Sequence, residues 1–438
     1  MNGWHMQVFK LFKTLMPGEV AGILNTRSAM ICVFRRVLLI ALSASMSAQA
    51  AGPQAEVIHW WTSGGESAAV IQIADAYRAA GGVWIDTAIA GSEQAREVAI
   101  DRIIGGTPPT ATLFNTSRQF QDLVEEGILN NVDAIARRED WDHILPDPIK
   151  NVISEHGHYY AIPVSIHMPG WIWYSKAAFK KAGIVKEPAN MDELFAALDK
   201  LKAAGLIPLA HGGQPWQESI VFMAVLSNVG GKQLYLNIFR DRKPEAIKSA
   251  AFKKVLLAFK RLHSYVDDGA PGRNWNDATE LLIAGQGGIQ IMGDWVKGEF
   301  TAAGQIAGKD FGCIPGFGPN SLYLIQGDAF VFPKTDDPQT LIAQQLLENV
   351  LVVPATLLEF NKLKGSLPIR PDVDSSSMDM CARAGMEIMK DKSRQAGIGE
   401  VYLTPYQNGA LSDVLTAYWN TNMSVEQAQK SIASALKY

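Results

Sequence analysis

The sequence predicts an α/β protein whose two lobes are built from interleaved segments of the chain. After residue 50, stretches with strand character alternate with stretches of helical spacing, which favours a parallel sheet with covered faces. Pro163 interrupts the strand predicted at 159–166 and restricts it to a sheet edge or a crossing between lobes. Neither an internal repeat nor a long linker separates two successive domains.

Length and composition agree with a packed protein. The chain has 438 residues, of which 47% are hydrophobic and 19% charged, so it can form two domains and has no disordered composition. The formal net charge is −4, and basic residues cluster only as pairs. These charges give no support for nucleic-acid binding.

The N-terminal region predicts export. Arg35 and Arg36 precede the apolar segment 37–46, and residues 47–50 read Ser-Ala-Gln-Ala. A basic start, a short apolar run and an A-x-A pattern are typical of a secretory signal peptide, so we expect a leader over residues 1–50 and a periplasmic mature protein. The alternatives are an uncleaved anchor, although the run is short for a bilayer, and twin-arginine export.

The secondary structure is predicted in chain order from periodicity and turn residues. Strand patterns lie at 56–61, 111–114, 159–166, 288–292 and 328–332, and helical patterns begin at 70 and span 95–104, 119–126, 219–228, 247–265, 340–352, 378–390 and 424–436. Asn190 and Glu193 resemble a capping box, and Gly127 is placed to end the helix at 119–126.

Catalytic and cofactor motifs are missing from the sequence. It has no nucleophile elbow, zinc-protease helix motif, phosphate-binding loop or calcium loop, so we expect no catalytic residue, metal or cofactor. The three cysteines are Cys32, Cys313 and Cys381, and none forms a C-x-x-C pair. Cys313 and Cys381 are expected either to form a disulfide in an oxidising compartment or to be two buried thiols.

The candidate functional residues have the chemistry that binds sugars. A sugar offers apolar faces to aromatic rings and hydroxyl groups to planar polar side chains. Trp60 and Trp61 are neighbours in a predicted strand and point to opposite faces, so one of them is expected to face a ligand crevice, and Glu66 follows them. Asp328 precedes an apolar strand, where a carboxylate needs a partner. Further tryptophans in polar surroundings are Trp216, Trp275 and Trp295.

A secreted glycosidase is the main alternative function. Such an enzyme needs two carboxyl groups facing each other across the cleft, and Glu66 with Asp328 is the pair to consider. Core packing is the alternative for each tryptophan, and a backbone cap is the alternative for Asp328.

Several segments together resemble a known family. They include EVIHWWTSGGES, GGTPPTATLFN, YYAIPVSIHMPGWIWYSKAAFKKAGI, AGQGGIQIMGDW, QGDAFVFPK and FNKLKGSLPIR, in that order. This order resembles the extracytoplasmic sugar-binding proteins of ABC transporters, and the WW, Q-G-D and K-G-S-x-P-x-R pieces resemble the branch that binds glucose and similar monosaccharides.

The resemblance implies a hinged, two-lobed periplasmic binding protein fold (type II-like) with a ligand cleft between the lobes. It implies one lobe from residues 51–163 and 329–366 and the other from 164–328 and 367–438. The expected partners are a carbohydrate and the membrane permease, and we expect a monomer. The ligand-binding residues carried over are Trp60, Trp61, Glu66, Gln94, Asn115, Ser117, His167, Trp275, Trp295, Gln326, Asp328 and Lys364.

Two departures from the glucose-type pattern concern specificity. That branch commonly supplies a histidine from its C-terminal region, but no histidine follows His263, and Thr404 or Gln407 is expected in that space. Ser117 stands where a basic group is common. A carbohydrate therefore remains the expected ligand, with glucose one candidate.

Overall fold

The computed structural model describes residues 52–318, 321–370 and 373–437. The predicted leader, with Cys32, lies outside the described residues. The described strands are β1 Gln54–His59, β2 Val83–Ala88, β3 Ala111–Asn115, β4 Ser154–Glu155, β5 His158–Tyr159, β6 Ala161–His167, β7 Trp171–Ser175, β8 Ile207–Leu209, β9 Gly287–Met292, β10 Phe311–Ile314, β11 Tyr323–Val331 and β12 Gln395–Gly397.

The helices connect and cover these strands. They are α1 Gly64–Ala79, α2 Ser92–Ile104, α3 Gln121–Glu125, α4 Asp133–Arg138, α5 Trp141–Ile144, α6 Asp147–Ile153, α7 Lys176–Lys181, α8 Met191–Ala203, α9 Pro215–Val225, α10 Gly231–Phe239, α11 Pro244–Lys248, α12 Ala250–His263, α13 Trp275–Ile283, α14 Val296–Ala302, α15 Pro338–Val350, α16 Pro354–Lys364, α17 Met380–Met389, α18 Pro405–Asn420 and α19 Val425–Ala435. Single turns of 3₁₀-helix lie at Arg118–Phe120, Ser375–Ser377, Lys392–Arg394 and Gly399–Val401, and a π-helical turn spans Leu226–Gly230.

The larger sheet has six strands. Its order is β12-β11-β3-β1-β2, and β6 pairs with β11. β1 is parallel to β2 and β3, whereas β11 is antiparallel to β3 and β6. β6 pairs with β11, and its other edge makes one isolated bridge within the described chain, between Ile166 and Leu367. This edge position suits Pro163, because proline cannot donate to a central ladder.

The smaller sheet has four strands in the order β10-β7-β9-β8. Alternate residues of β7 face different cores: Trp171 and Trp173 pack with the core that includes the six-stranded sheet, and Ile172 and Tyr174 pack with a second core of helices. This division follows from the two-residue period of a strand, and it makes every residue of β7 buried.

Most predicted elements are present, with shifts at their ends that matter for function. β1 ends at His59, so Trp60 and Trp61 lie after the strand and not within it. β11 begins at Tyr323, five residues before the predicted start at 328, so Asp328 lies inside a fully buried strand and does not lead into one. The segment predicted as one helix at 119–126 is a 3₁₀ turn followed by α3, and Gly127 follows it at φ 69°.

A disulfide joins Cys313 of β10 to Cys381 in the first turn of α17. This resolves the alternative left open by the sequence. In the described ranges, no single helix is long and apolar enough to cross a membrane. The helices α15 and α16, which meet at a bend of 76°, together have the length and apolar composition of such a span.

Candidate functional site

The candidate site is centred on the ammonium of Lys364, the last residue of α16. Lys364 is only 3% exposed, and its Nζ lies 3.0 Å from Glu66 Oε1 and 4.0 Å from Asp328 Oδ2. A buried ammonium needs such partners, because desolvation strongly disfavours an isolated charge. Three residues that are far apart in the sequence therefore form one buried ionic cluster.

Local structure explains how these side chains reach one place. Ser63 caps α1, and Glu66 closes a reciprocal capping box with it, which fixes the carboxylate at the start of the helix. Lys364 ends α16 because Gly365 follows at φ 92°, a left-handed conformation that favours glycine. Asp328 is held by the ladders of β11 on both sides.

A histidine links two aspartates beside this cluster. His167 Nδ1 lies 2.7 Å from Asp294 Oδ1, and its Nε2 lies 2.8 Å from Asp328 Oδ2. Asn115 Nδ2 donates to the other oxygen of Asp328 over 3.0 Å. Asp294 follows β9 of the smaller sheet and Asp328 belongs to the larger sheet, so the imidazole connects the two parts of the fold.

Tryptophan rings surround the same ammonium. Lys364 Nζ lies 5.8 Å from the ring centroid of Trp61 and 5.9 Å from that of Trp295. Trp216 and Trp275 each have a ring centroid 6.4 Å from that of Trp295, and both are half-buried. Aromatic faces and charged hydrogen-bonding groups thus adjoin, the combination that a hydroxyl-rich ring requires.

The charges of the site stabilise one another. Burial disfavours a protonated His167, but the Asp328 and Asp294 carboxylates outweigh it and raise the pKa of His167 to about 9. Burial likewise opposes ionisation of Asp328, yet the His167 cation holds the pKa of Asp328 below its usual value. For Lys364, burial is outweighed by Glu66 and Asp328, and its pKa is raised. His167, Asp328 and Lys364 are therefore charged at neutral pH.

Helix α14 packs tightly beside the cluster. Glu299 Oε1 accepts hydrogen bonds from Ser63 Oγ over 2.7 Å and from Gly65 N over 2.9 Å, so α14 supplies a carboxylate to the first turn of α1. The backbones meet at glycines: a Cβ added at Gly298 would lie 2.7 Å from Leu363 O and 2.8 Å from Lys364 O. Because α14 connects two strands of the smaller sheet, this contact joins the two parts of the fold.

The structure brings together most of the residues that the sequence singled out. Those in the cluster or in contact with it are Trp61, Glu66, Asn115, His167, Trp275, Trp295, Asp328 and Lys364. Gln326 lies two residues from Asp328 on the same face of β11 and donates to Glu400. Trp60 is half-buried under Arg96.

Other predicted residues are placed differently. Gln94 is exposed in the first turn of α2, with its amide beside Gly91. Thr404 and Gln407 form a capping box with each other at the start of α18. Ser117 Oγ is buried and has no hydrogen-bond partner among the described residues.

Four residues in the cluster or next to predicted site residues were not singled out from the sequence: Asp294, Glu299, Arg96 and Glu400. Asp294 belongs to the G-D-W piece, but no local pattern connects it with its partner His167, which lies 127 positions away. Glu299 sits on α14, a helix that was not predicted, and Arg96 sits on α2, where periodicity does not tell which polar side chains approach the site. Glu400 follows β12, a strand of three residues that was not predicted.

Comparisons with known proteins assign the chain to a family. A family model for bacterial extracellular solute-binding proteins matches residues 61–352. The chain belongs to this family. A probable sugar-binding periplasmic protein of Brucella melitensis is 37% identical over 87% of this chain and 91% of its own length. A second protein of that name, from Rhizobium meliloti, is 34% identical over 91% of this chain and 97% of its own length.

Solved structures show the fold of this solute-binding protein. The bacterial solute receptor AcbH has a TM-score of 0.72 at 18% identity, over 88% of this chain and 98% of its own. Maltose-bound MalE3 of T. maritima also has a TM-score of 0.72, at 17% identity, over 88% of this chain and 99% of its own. The two-lobed periplasmic solute-binding fold that the sequence predicts is thereby confirmed.

The glycosidase alternative gains no support from these findings. The relatives are named as binding proteins. Glu66 and Asp328 share the Lys364 ammonium at 3.0 and 4.0 Å. A general acid must carry a proton at working pH, whereas the His167 and Lys364 cations hold the pKa of Asp328 below its usual value.

Proposed function

We propose that this protein captures a sugar in the cleft between its lobes and delivers it to the permease of an ABC importer. The observation that carries the proposal is the Lys364 cluster: tryptophan rings adjoin a set of charged donors and acceptors, drawn from elements of both sheets. The names of the relatives support carbohydrate as the class of ligand.

The ligand is a monosaccharide such as glucose or a short oligosaccharide. Glu66, Asn115, Asp328 and Lys364 supply acceptors and donors to its hydroxyl groups, and the buried Trp61 Nε1 beside Asp328 supplies another donor. Trp295 and Trp275 are half-buried, so their rings offer faces for stacking.

Closure of the lobes follows from how the ligand is held. The lobes comprise residues 51–163 with 329–366 and 164–328 with 367–438, and they exchange crossing segments near Pro163, Asp328 and Pro368. A sugar that touches both Lys364 and Trp295, which belong to different lobes, binds the closed form better than the open form and shifts the population toward closure. The permease then recognises the closed surface of a monomer, exported to the periplasm after cleavage behind Ala50.

A thermal-shift screen of mono- and oligosaccharides on the mature protein tests this function. A sugar that binds only the folded protein raises the melting temperature by mass action. We expect Asp328→Ala and Trp295→Ala to remove that shift, because each takes away a group that a bound sugar contacts. Asp75→Ala, on the exposed side of α1, is the control and keeps the shift. Equal shifts in all four proteins would contradict the site, and no shift in the wild type would contradict the function.

A further inference from the structure

A buried ion pair outside the Lys364 cluster fixes the first turn of α14. Lys297 is 2% exposed, and its Nζ lies 2.7 Å from Asp379 Oδ2. Asp379 is its only ion-pair partner among the described residues. A buried ammonium needs such a partner, because desolvation disfavours an isolated charge. The position of Lys297 therefore depends on where Asp379 is held.

Lys297 is connected to the site through the start of α14. It lies two residues after Trp295, whose ring centroid is 5.9 Å from Lys364 Nζ. A Cβ added at Gly365 would lie 3.2 Å from Lys297 Cβ and 2.8 Å from Gly298 N. The start of α14 thus packs against the residue that follows Lys364. A movement of Lys297 would displace both the tryptophan and this backbone contact.

One carboxylate serves both α17 and α14. Asp379 Oδ1 accepts hydrogen bonds from Cys381 N over 2.8 Å and from Ala382 N over 3.0 Å, and so caps α17. Its Oδ2 accepts from the Lys297 ammonium. Because the two oxygens belong to one rigid group, a movement of the first turn of α17 also moves the partner of Lys297.

The disulfide is the covalent anchor of this first turn. The chain that leads into α17, residues 373–380, has one buried side chain, Met378. Cys381 is 1% exposed and is bonded to Cys313 in β10, a strand of the smaller sheet. A segment with few buried contacts opens more readily than one with many. The bond therefore limits a movement that burial alone restricts only weakly.

We propose that Lys297 and Asp379 are positioning residues for the sugar site, and that the disulfide keeps them in place, so that sugar affinity depends on the redox state of the protein. This inference rests on the proposed sugar-binding function and deepens it. Neither residue touches the sugar, because both act through α14. Reduction frees the start of α17, loosens the ion pair and lowers the fraction of molecules in which Trp295 and Lys364 face the ligand together.

The reductive step is a thiol–disulfide exchange with a dithiol. One thiolate of the dithiol attacks the sulfur of Cys313, the less buried of the two cysteines, and Cys381 leaves as a thiolate. The second thiolate of the dithiol then displaces Cys313 and closes a disulfide within the reagent. Both cysteines are reduced and take up the two protons that the dithiol gives up, and the dithiol is oxidised.

Sugar affinity in both redox states tests the inference. The mature protein is titrated calorimetrically with D-glucose, D-galactose, D-mannose, D-xylose and maltose, oxidised and in excess dithiothreitol, and the freed thiols are counted to confirm reduction. We expect the dissociation constant for the tightest of these sugars to rise at least about fivefold on reduction of the wild type. Cys313→Ser with Cys381→Ser should bind as weakly as the reduced wild type and should not respond to dithiothreitol.

Asp379→Asn tests the route from the disulfide to the site. Asparagine also caps helices, so this change keeps the cap of α17 and removes the charge that Lys297 needs. We expect the oxidised variant to lose at least about fivefold in affinity, with no further loss in dithiothreitol. The control is Asp337→Asn, the same change at the start of α15, where the carboxylate forms no ion pair with the described residues. It should keep the wild-type affinity and the wild-type response to reduction.

The outcomes separate this inference from the proposed function. If the wild type binds a sugar equally well in both redox states, the inference is refuted while sugar binding stands. If reduction weakens Asp379→Asn as much as the wild type, the disulfide does not act through the ion pair and the inference is also wrong. If the oxidised wild type binds none of these sugars or larger oligosaccharides, the proposed function fails and the inference fails with it. Lys297→Met, which removes the buried charge itself, replaces Asp379→Asn if that variant does not fold, with the same expected result.

Discussion

At the scale of single residues, His167 controls the charge balance of the site. It lies between Asp294 and Asp328, and its pKa of about 9 exceeds the ordinary histidine pKa of about 6.5. Because the folded state binds this proton more tightly than the unfolded state, the stabilisation is fully present below about pH 6.5 and is lost as pH rises through about 9.

The free energy of unfolding should therefore fall with pH in a way that depends on this residue. Between about pH 6.5 and about pH 9.5, we expect the wild type to lose up to about 3 kcal/mol that His167→Asn does not lose. Urea titrations followed by circular dichroism measure it. His158→Asn, on the surface, should retain the wild-type slope. An equally steep fall in His167→Asn would show that another group titrates.

Single residues also show how much of the candidate site could be predicted from the sequence. Asp328, Lys364 and Trp295 lie close together, as the family resemblance implies. Each of the matching segments includes the strand or helix end that positions its side chain. Thr404 and Gln407 form a capping box at the start of α18. Their Thr-Pro-Tyr-Gln segment has the local form of such a box, so this part of the structure can be predicted from the sequence.

At the scale of secondary-structure elements, the disulfide ties β10 to α17. The cross-linked cysteines are 68 residues apart, so the bond restricts a long segment of the unfolded chain. Native disulfides typically stabilise a protein by about 2–4 kcal/mol, and long loops lie toward the upper end of that range.

Replacement of both cysteines tests this contribution. We expect Cys313→Ser with Cys381→Ser to lower the free energy of unfolding by about 2–4 kcal/mol, measured in urea without reductant. The wild type in excess dithiothreitol should approach the double variant, whereas the double variant should not respond to dithiothreitol. A double variant as stable as the oxidised wild type would contradict the expectation.

Secondary-structure elements also differ in how well they can be predicted from the sequence. Long amphipathic helices such as α12 were predicted within a few residues of their ends, because periodicity accumulates over several turns. β12 has only three residues, and it exists because it pairs with Tyr323–Ile325 of β11. Its position depends on tertiary contacts, so Glu400, which follows it, was not predictable from local pattern.

At the scale of the whole molecule, the backbone contact at Gly298 beside the site affects how the two lobes can close. Gly298 meets the backbone at Leu363 and Lys364 with no room for a Cβ. If the contact forms only when the lobes close, a methyl group there holds them apart without harming the fold of either lobe.

Gly298→Ala should therefore fold normally but close poorly. We expect apparent affinity for the tightest sugar of the screen to fall more than about tenfold, since fewer molecules reach the binding-competent form. Small-angle X-ray scattering should show no compaction with that sugar, unlike the wild type. Gly409→Ala is the control, because nothing lies within 4 Å of its added Cβ. Normal compaction of Gly298→Ala, or a large loss of its melting temperature without sugar, would show that the contact belongs to a rigid part of the fold.

The placement of Trp61 and Trp295 has a practical consequence. Both indoles lie within 6 Å of the same ammonium, a group whose charge alters the light that an excited indole emits. A ligand that enters between them would displace water and change that local field, so the intrinsic emission of the unlabelled protein would report occupancy. Substitution of Trp295 alone would then separate the signal of the site from that of the remaining tryptophans.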